Sequence, residues 1–199
     1  MHPRIRSVIA FGLLIAIIVV PLWYARQRQK EFRNFRIVQD GVLYRSGQLT
    51  PAALEKVVAQ YGIKTIVSLR YPPNIGEPAP DAWEESWASD HRVQHLRIQP
   101  REWSADDESV PAEEGVKQFL KIMDNPTNHP VLIHCYAGVH RTGSHCAIYR
   151  IDYQGWQNSA AIEEMRELGY DHIDRETDVR DYLRSYQRRS SSVGDDRGN

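Results

Sequence analysis

Between Pro130 and Gly143 the chain changes character within a few residues. The run Pro130-Val131-Leu132-Ile133 is continuous and apolar, as a strand buried on both faces must be. It stops at His134-Cys135. A Gly-containing turn follows, Tyr136-Ala137-Gly138-Val139, and His140-Arg141-Thr142-Gly143 leads into a helical stretch. A buried strand that passes directly into a helix belongs to an α/β sheet, and ligand sites in such sheets lie at the carboxyl ends of the strands. Cys135 is expected at such an end.

The remaining patterns agree with a central, mainly parallel sheet flanked by helices. Phe35–Val38 and Val42–Tyr44 read as short strands around an Asp40-Gly41 turn. Thr50-Pro51 starts a helix, with a hydroxyl cap and Pro at the first helical position. Leu54, Val57, Val58 and Tyr61 follow at helical spacing, and Gly62 stops it. Lys64–Leu69 and Gln94–Ile98 are strand candidates. The Pro-rich segment Tyr71–Pro80 and the acidic segment Gln99–Val110 read as loops. Pro111 opens a helix with Val116, Phe119, Leu120 and Met123 on one face. Asn158 is expected to cap a helix through Leu168, and Val179, Tyr182, Leu183 and Tyr186 mark a last one.

Composition excludes whole classes. Among 199 residues, 25 are Lys or Arg and 26 are Asp or Glu, so the formal net charge is −1. A nucleic-acid partner would call for a basic excess, so none is expected. Two cysteines cannot make a disulfide framework, which leaves a packed core to hold the fold.

The amino-terminal stretch Ser7–Ala25 carries no charge. As a helix it would reach about 28 Å, close to the hydrocarbon thickness of a bilayer. Trp23 and Tyr24 fall where an interfacial belt would lie, and bulky residues end the run where a cleavable signal needs small ones. The expectation is one uncleaved transmembrane helix over residues 1–25, contacting the lipid bilayer, and a single-pass membrane location. Basic residues on both sides leave either orientation open. A basic linker (26–36), a catalytic domain (37–187) and a disordered tail (188–199) complete the expected organisation.

The chemistry centres on the turn after Cys135. At a strand-to-helix junction the amides of Tyr136, Ala137, Gly138, Val139, His140 and Arg141 can turn inward and form an anion-binding nest. Gly138 permits the tight backbone path. Arg141 offers a planar fork for two phosphate oxygens. The same field would favour a Cys135 thiolate, a nucleophile aimed at bound phosphorus.

These residues, H-C-x5-R-[ST], resemble the signature loop of the cysteine-dependent protein tyrosine phosphatase superfamily. Leu43-Tyr44-Arg45-Ser46 and Lys64-Thr65-Ile66-Val67-Ser68 are similar to its dual-specificity branch, and Ala147–Met165 is similar to small bacterial envelope-associated members. The likeness covers about residues 37–187. It implies that Cys135 forms a phosphocysteine, that Arg141 holds the phosphoryl oxygens, that Thr142 hydrogen-bonds the thiolate, and that His134 orients the loop. It also implies a general acid on a loop earlier in the chain, with neither cofactor nor metal. Asp106 and Asp107 lie 29 and 28 positions before Cys135; Asp107 is slightly favoured on spacing alone, because there is no Trp-Pro-Asp triplet.

Blander readings exist. A lone Cys at a strand end is usually a small buried hydrophobe, as Cys146 is read here. The His134, Cys135, His140, His145 and Cys146 set lacks paired metal-ligand spacing. The expected substrate is a phosphotyrosine protein, with phosphoserine and phosphothreonine as extensions. The alternatives are phosphoinositides or inositol polyphosphates, disfavoured by the neutral Tyr136, Ala137 and Val139, and a catalytically silent phosphate-binding module, disfavoured because Cys135 and Arg141 are both present.

Overall fold

The structure is a computed structural model and describes residues 3–189. Five short strands form one sheet in the order β1-β2-β5-β3-β4. They are β1 (Arg36–Gln39), β2 (Leu43–Ser46), β3 (Thr65–Ser68), β4 (Gln94–Arg97) and β5 (Val131–His134). Only the β1–β2 hairpin is antiparallel; β2, β3 and β4 join the parallel part of the sheet, with β5 between β2 and β3. The expected mainly parallel α/β sheet is therefore present, and β5 is its central strand.

Alternation along β5 divides the core. Val131 and Ile133 face one side with Leu43 and Val67, under helices α4 (Ala112–Met123), α5 (His140–Gln154), α6 (Asn158–Glu167) and α7 (Thr177–Ser185). Leu132 faces the other with Tyr44 and Ile66, under α2 (Pro51–Tyr61) and α3 (Ala82–Asp90). Both faces are dry, which is why β5 reads as an uninterrupted apolar run.

Most expected helix signals act as anticipated. Thr50 accepts a hydrogen bond from the Ala53 amide, and Gly62 ends α2 in the left-handed region at φ 62°. Asn158 does something else. The cap position belongs to Gln157, and the Asn158 amide donates to the carbonyls of Leu183, Arg184 and Tyr186, tying α6 to the end of α7. Helix α3 was not anticipated. Its sequence, Ala-Trp-Glu-Glu-Ser-Trp-Ala-Ser-Asp, shows little apolar periodicity, and it forms by packing Ala88 and the half-buried Trp83 and Trp87 against the sheet.

The amino-terminal expectation is corrected. A helix α1 does form, over Pro3–Phe32. Yet among the described residues no helix is long and apolar enough to cross a membrane. The transmembrane helix, its contact with lipid and the single-pass membrane location are accordingly withdrawn. The expected linker is helical as far as Phe32, and its end docks on the domain. Glu31 pairs with Lys56 of α2 at 2.6 Å, and the Arg33 carbonyl accepts from the Gly47 amide at 2.6 Å. Of the expected tail, residues 190–199 lie outside those described. Arg189 is held by Asp152 at 2.5 Å and by Asp124 at 2.8 Å.

Candidate active site

Cys135 follows the last residue of β5, and α5 begins at His140. The turn between them is shaped by where its carbonyls go. The Tyr136 carbonyl accepts from the Gln48 amide at 3.0 Å. The Ala137 carbonyl accepts from the Asn34 side chain at 2.9 Å, and the Gly138 carbonyl from the Arg45 guanidinium at 2.8 Å. Three successive carbonyls thus face outward into fixed donors. On the inner side of the turn the Gly138 amide donates to Cys135 Sγ at 3.2 Å.

This path has no room for side chains. Gly138 sits at φ 74°, and a Cβ there would lie 2.3 Å from the Gly47 nitrogen. Gly47 is constrained from the other side, since a Cβ on it would lie 2.8 Å from the Ala137 carbonyl. The two glycines let the β2–α2 turn press against the loop.

The sulfur is nearly enclosed, with 5% of the residue exposed. Burial by itself raises a thiol pKa. The Thr142 hydroxyl and amide, the Gly138 amide and the charge of His134 outweigh it, so that Cys135 lies below the ordinary thiol range. Cys146 shows the contrast. Buried in the middle of α5 without such donors, it is pushed up to about 11.

Arg141, in the first turn of α5, is exposed and donates to the Leu69 carbonyl just beyond β3, at 3.4 Å. His140 is exposed and stacks on Tyr170, with ring centroids 4.3 Å apart. His134 is buried behind the loop. Its Nδ1 lies 3.4 Å from the Cys135 carbonyl, and its Nε2 lies 2.8 Å from Glu84 Oε2. The structure thus gathers His134 through Thr142 around one concavity.

It does not bring Asp106 and Asp107 there. Both are exposed, in a turn where the Ala105 amide donates to the Ser109 carbonyl. Asp107 Oδ1 accepts from the Ser109 amide at 3.1 Å, and the Ser109 hydroxyl and amide hold the Asp107 carboxyl below its usual range. A cavity of about 340 Å³ beside Arg141 is lined instead by Glu102 and Trp103 of the same loop, with Leu69, His140 and Tyr170.

Several residues at the site escaped the sequence reading. Arg45 is 2% exposed within a strand buried at every residue, and a charge at such a position is itself the sign of a dedicated partner. Asn34 reaches the loop across a separation of 103 residues, which no local pattern reports. The guanidinium carbons of Arg33 and Arg70 lie 3.8 Å and 5.1 Å from the ring centroid of Tyr136, so the exposed Tyr136 carries two cations.

Residues 20–181 match the family described as DSP-PTPase phosphatase fused to NAD+ kinase. Over 55 residues the chain is 47% identical to the dual specificity protein phosphatase TpbA of Pseudomonas aeruginosa, a match covering 28% of this chain and 25% of that protein. It is 31% identical over 135 residues to the inositol diphosphatase DSP3 of Arabidopsis thaliana, covering 66% of this chain and 60% of the relative. The chain therefore spans a quarter of the one relative's length and less than two thirds of the other's. The crystal structure of P. aeruginosa TpbA superposes with a TM-score of 0.58 at 28% identity, covering 77% of this chain and 85% of that one. The core catalytic domain of the PP-IP phosphatase SIW14 from S. cerevisiae shares the fold, with a TM-score of 0.61 at 22% identity over 79% of this chain and 87% of that one.

Proposed function

The chain belongs to the DSP-PTPase family of phosphatases, and on that premise we propose that it hydrolyses phosphotyrosine esters in proteins through a phosphocysteine. The observation that carries this reading is the loop backbone: three carbonyls held outward, and the Gly138 and Thr142 amides directed at a sulfur that favours its anion. In the proposed first step the Cys135 thiolate attacks phosphorus and the bond from phosphorus to the ester oxygen breaks. The departing oxygen takes a proton from the acidic loop, for which Asp107 and then Asp106 are the candidates. Water then attacks the phosphocysteine, gives up a proton to the same carboxylate, and releases inorganic phosphate and the thiolate. Arg141, the loop amides and the amino end of α5 balance the charge that develops on the equatorial oxygens. The Thr142 hydroxyl stabilises the sulfur as it leaves, and His134 orients the loop. Phosphoserine and phosphothreonine are proposed as further substrates of the same steps.

A second reading has its own support. Arg33 and Arg70 bracket Tyr136, which supplies the cationic rim that the neutral loop side chains lack. A substrate with several phosphates, such as an inositol polyphosphate, would use it, and one relative is an inositol diphosphatase.

The test uses the full chain. Hydrolysis of p-nitrophenyl phosphate is measured for the wild type and Cys135→Ser, with and without EDTA. Activity that EDTA spares and Cys135→Ser abolishes supports the proposed chemistry; activity surviving in Cys135→Ser overturns it. Phosphotyrosyl peptides and inositol phosphates, compared in wild type and in Arg33→Ala with Arg70→Ala, separate the two readings. A loss confined to inositol phosphates in the double variant, together with their higher kcat/KM in the wild type, favours the second.

A further inference from the structure

Behind the loop lies a buried polar cluster that the proposed chemistry does not use. Asp81 and Glu84, from the start of α3, and His95, from β4, meet His134 at the end of β5, and their ligand atoms all lie within 4.8 Å of one another. Glu84 is 1% exposed and His134 is 2% exposed. Glu84 Oε2 lies 2.8 Å from His134 Nε2 and 3.6 Å from His95 Nε2, the contacts of a buried ion pair.

Charge balance identifies the pair. Asp81 is already matched by Arg97 of β4 at 2.6 Å and by the Ser68 hydroxyl of β3. That leaves one buried carboxylate, Glu84, facing two imidazoles. An unpaired carboxylate at such burial is prohibitively costly, and one imidazolium neutralises it.

We propose that Glu84 is a positioning residue for catalysis, holding His134 as an imidazolium against the back of Cys135. The proposal rests on Cys135 being the nucleophile, as argued above. Burial disfavours the His134 cation, but the Glu84 carboxylate, with Asp81 behind it, reverses this and leaves His134 above the ordinary histidine value. Burial likewise works against the Glu84 anion, and His134 and His95 bring its carboxyl down to about 2. The His134 charge is among the influences that favour the Cys135 thiolate. Other charged or titratable groups around the pair are Arg97, already matched to Asp81 and to the exposed Glu85, and His95. A helix on the far side of the sheet thus acts on the sulfur through one imidazole.

The experiment reads the thiolate directly. In full-length protein the rate of Cys135 alkylation by iodoacetamide is followed against pH by mass spectrometry, alongside kcat/KM on p-nitrophenyl phosphate. Glu84→Gln keeps the size and removes the charge. Its alkylation limb is expected to move to higher pH, with a rate roughly tenfold lower below the limb and a wild-type rate well above it. His134→Asn should give the same displacement, and the double variant should add nothing to it. A role in packing alone would lower the melting temperature and leave the limb where it is. If Glu84→Gln does not fold, His134→Asn carries the same readout without disturbing α3. A folded variant with an unmoved limb overturns the proposal, as does a stoichiometric metal ion in the wild type that Glu84→Gln lacks. Because alkylation reports on the sulfur whether or not it attacks phosphate, failure of this proposal is separable from hydrolysis persisting in Cys135→Ser.

Discussion

At the scale of single residues, the loop acid is the assignment with most at stake. Asp107 is exposed and held by Ser109 below the usual carboxyl range, which favours its anion over the acid the first step requires. Glu102 lines the cavity beside Arg141. If Asp107 donates the proton, Asp107→Asn lowers turnover on phosphotyrosine by roughly 10²–10⁴-fold. An aryl phosphate with an activated leaving group needs little protonation and is barely affected. Steady-state kinetics on both substrates, with Asp106→Asn and Glu102→Gln in parallel, assign the role to whichever variant shows that split. Spacing along the chain could narrow the choice to two neighbours and no further. Which carboxylate faces the cavity depends on the path of a loop with no regular pattern.

At the scale of elements, the strand-to-helix junction is held from three directions. The β2–α2 turn presses through Gly47, Arg45 rises from β2 to the Gly138 carbonyl, and Asn34 reaches in from the end of α1. Each fixes a carbonyl, and the fixed carbonyls aim the amides. Gly138→Ala tests this arrangement. Its Cβ would meet backbone of Ser46 and Gly47 at 2.3–2.6 Å, which no side-chain motion can relieve. Phosphatase activity is expected to fall more than about 100-fold, since loss of even one preorganised donor costs that much. The clash falls on the end of β2, so circular dichroism is recorded alongside to show that the variant keeps its helices and strands; wild-type activity in this variant would show that the loop tolerates another shape. The strand-turn-helix order, Gly138 and Arg141 were all legible in the sequence. Helix α3 was not, because its stability comes from contacts with the sheet and not from its own periodicity.

At the scale of the whole molecule, the buried histidines set how the fold responds to acid. His145 is buried in α5, with Nδ1 2.8 Å from the Arg141 carbonyl, and burial brings it down to about 4 from an ordinary 6.5. It is neutral in the fold, so below pH 6.5 the unfolded chain binds a proton that the native one refuses, and stability falls from there toward about pH 4. Glu84, lowered to about 2 from 4.5, contributes stability that is present above pH 4.5 and lost as pH falls toward 2. His134 has the opposite sign. Raised above 6.5, its contribution is complete below that pH and fades as pH rises through its folded value. Thermal melts across pH 3–8 are therefore expected to show the melting temperature declining first between about 6.5 and 4, with a second decline below about 4.5. Substituting His145→Gln should flatten the first decline and spare the second; an unchanged curve would mean that other groups govern it.

Read alone, the chain sufficed for the α/β class, the central buried strand, and the strand-to-helix junction that carries Cys135, Gly138 and Arg141. These are local: periodicity, backbone freedom and spacing within ten residues carry them. Tertiary structure decided the rest. The amino-terminal helix, read as a membrane span from its lack of charge, ends in contacts that place Asn34 against the loop after Cys135. Arg45 and Glu84 come from segments far from Cys135 in the chain. A buried charge is tolerable only where a partner meets it, and only the folded chain brings the partners together.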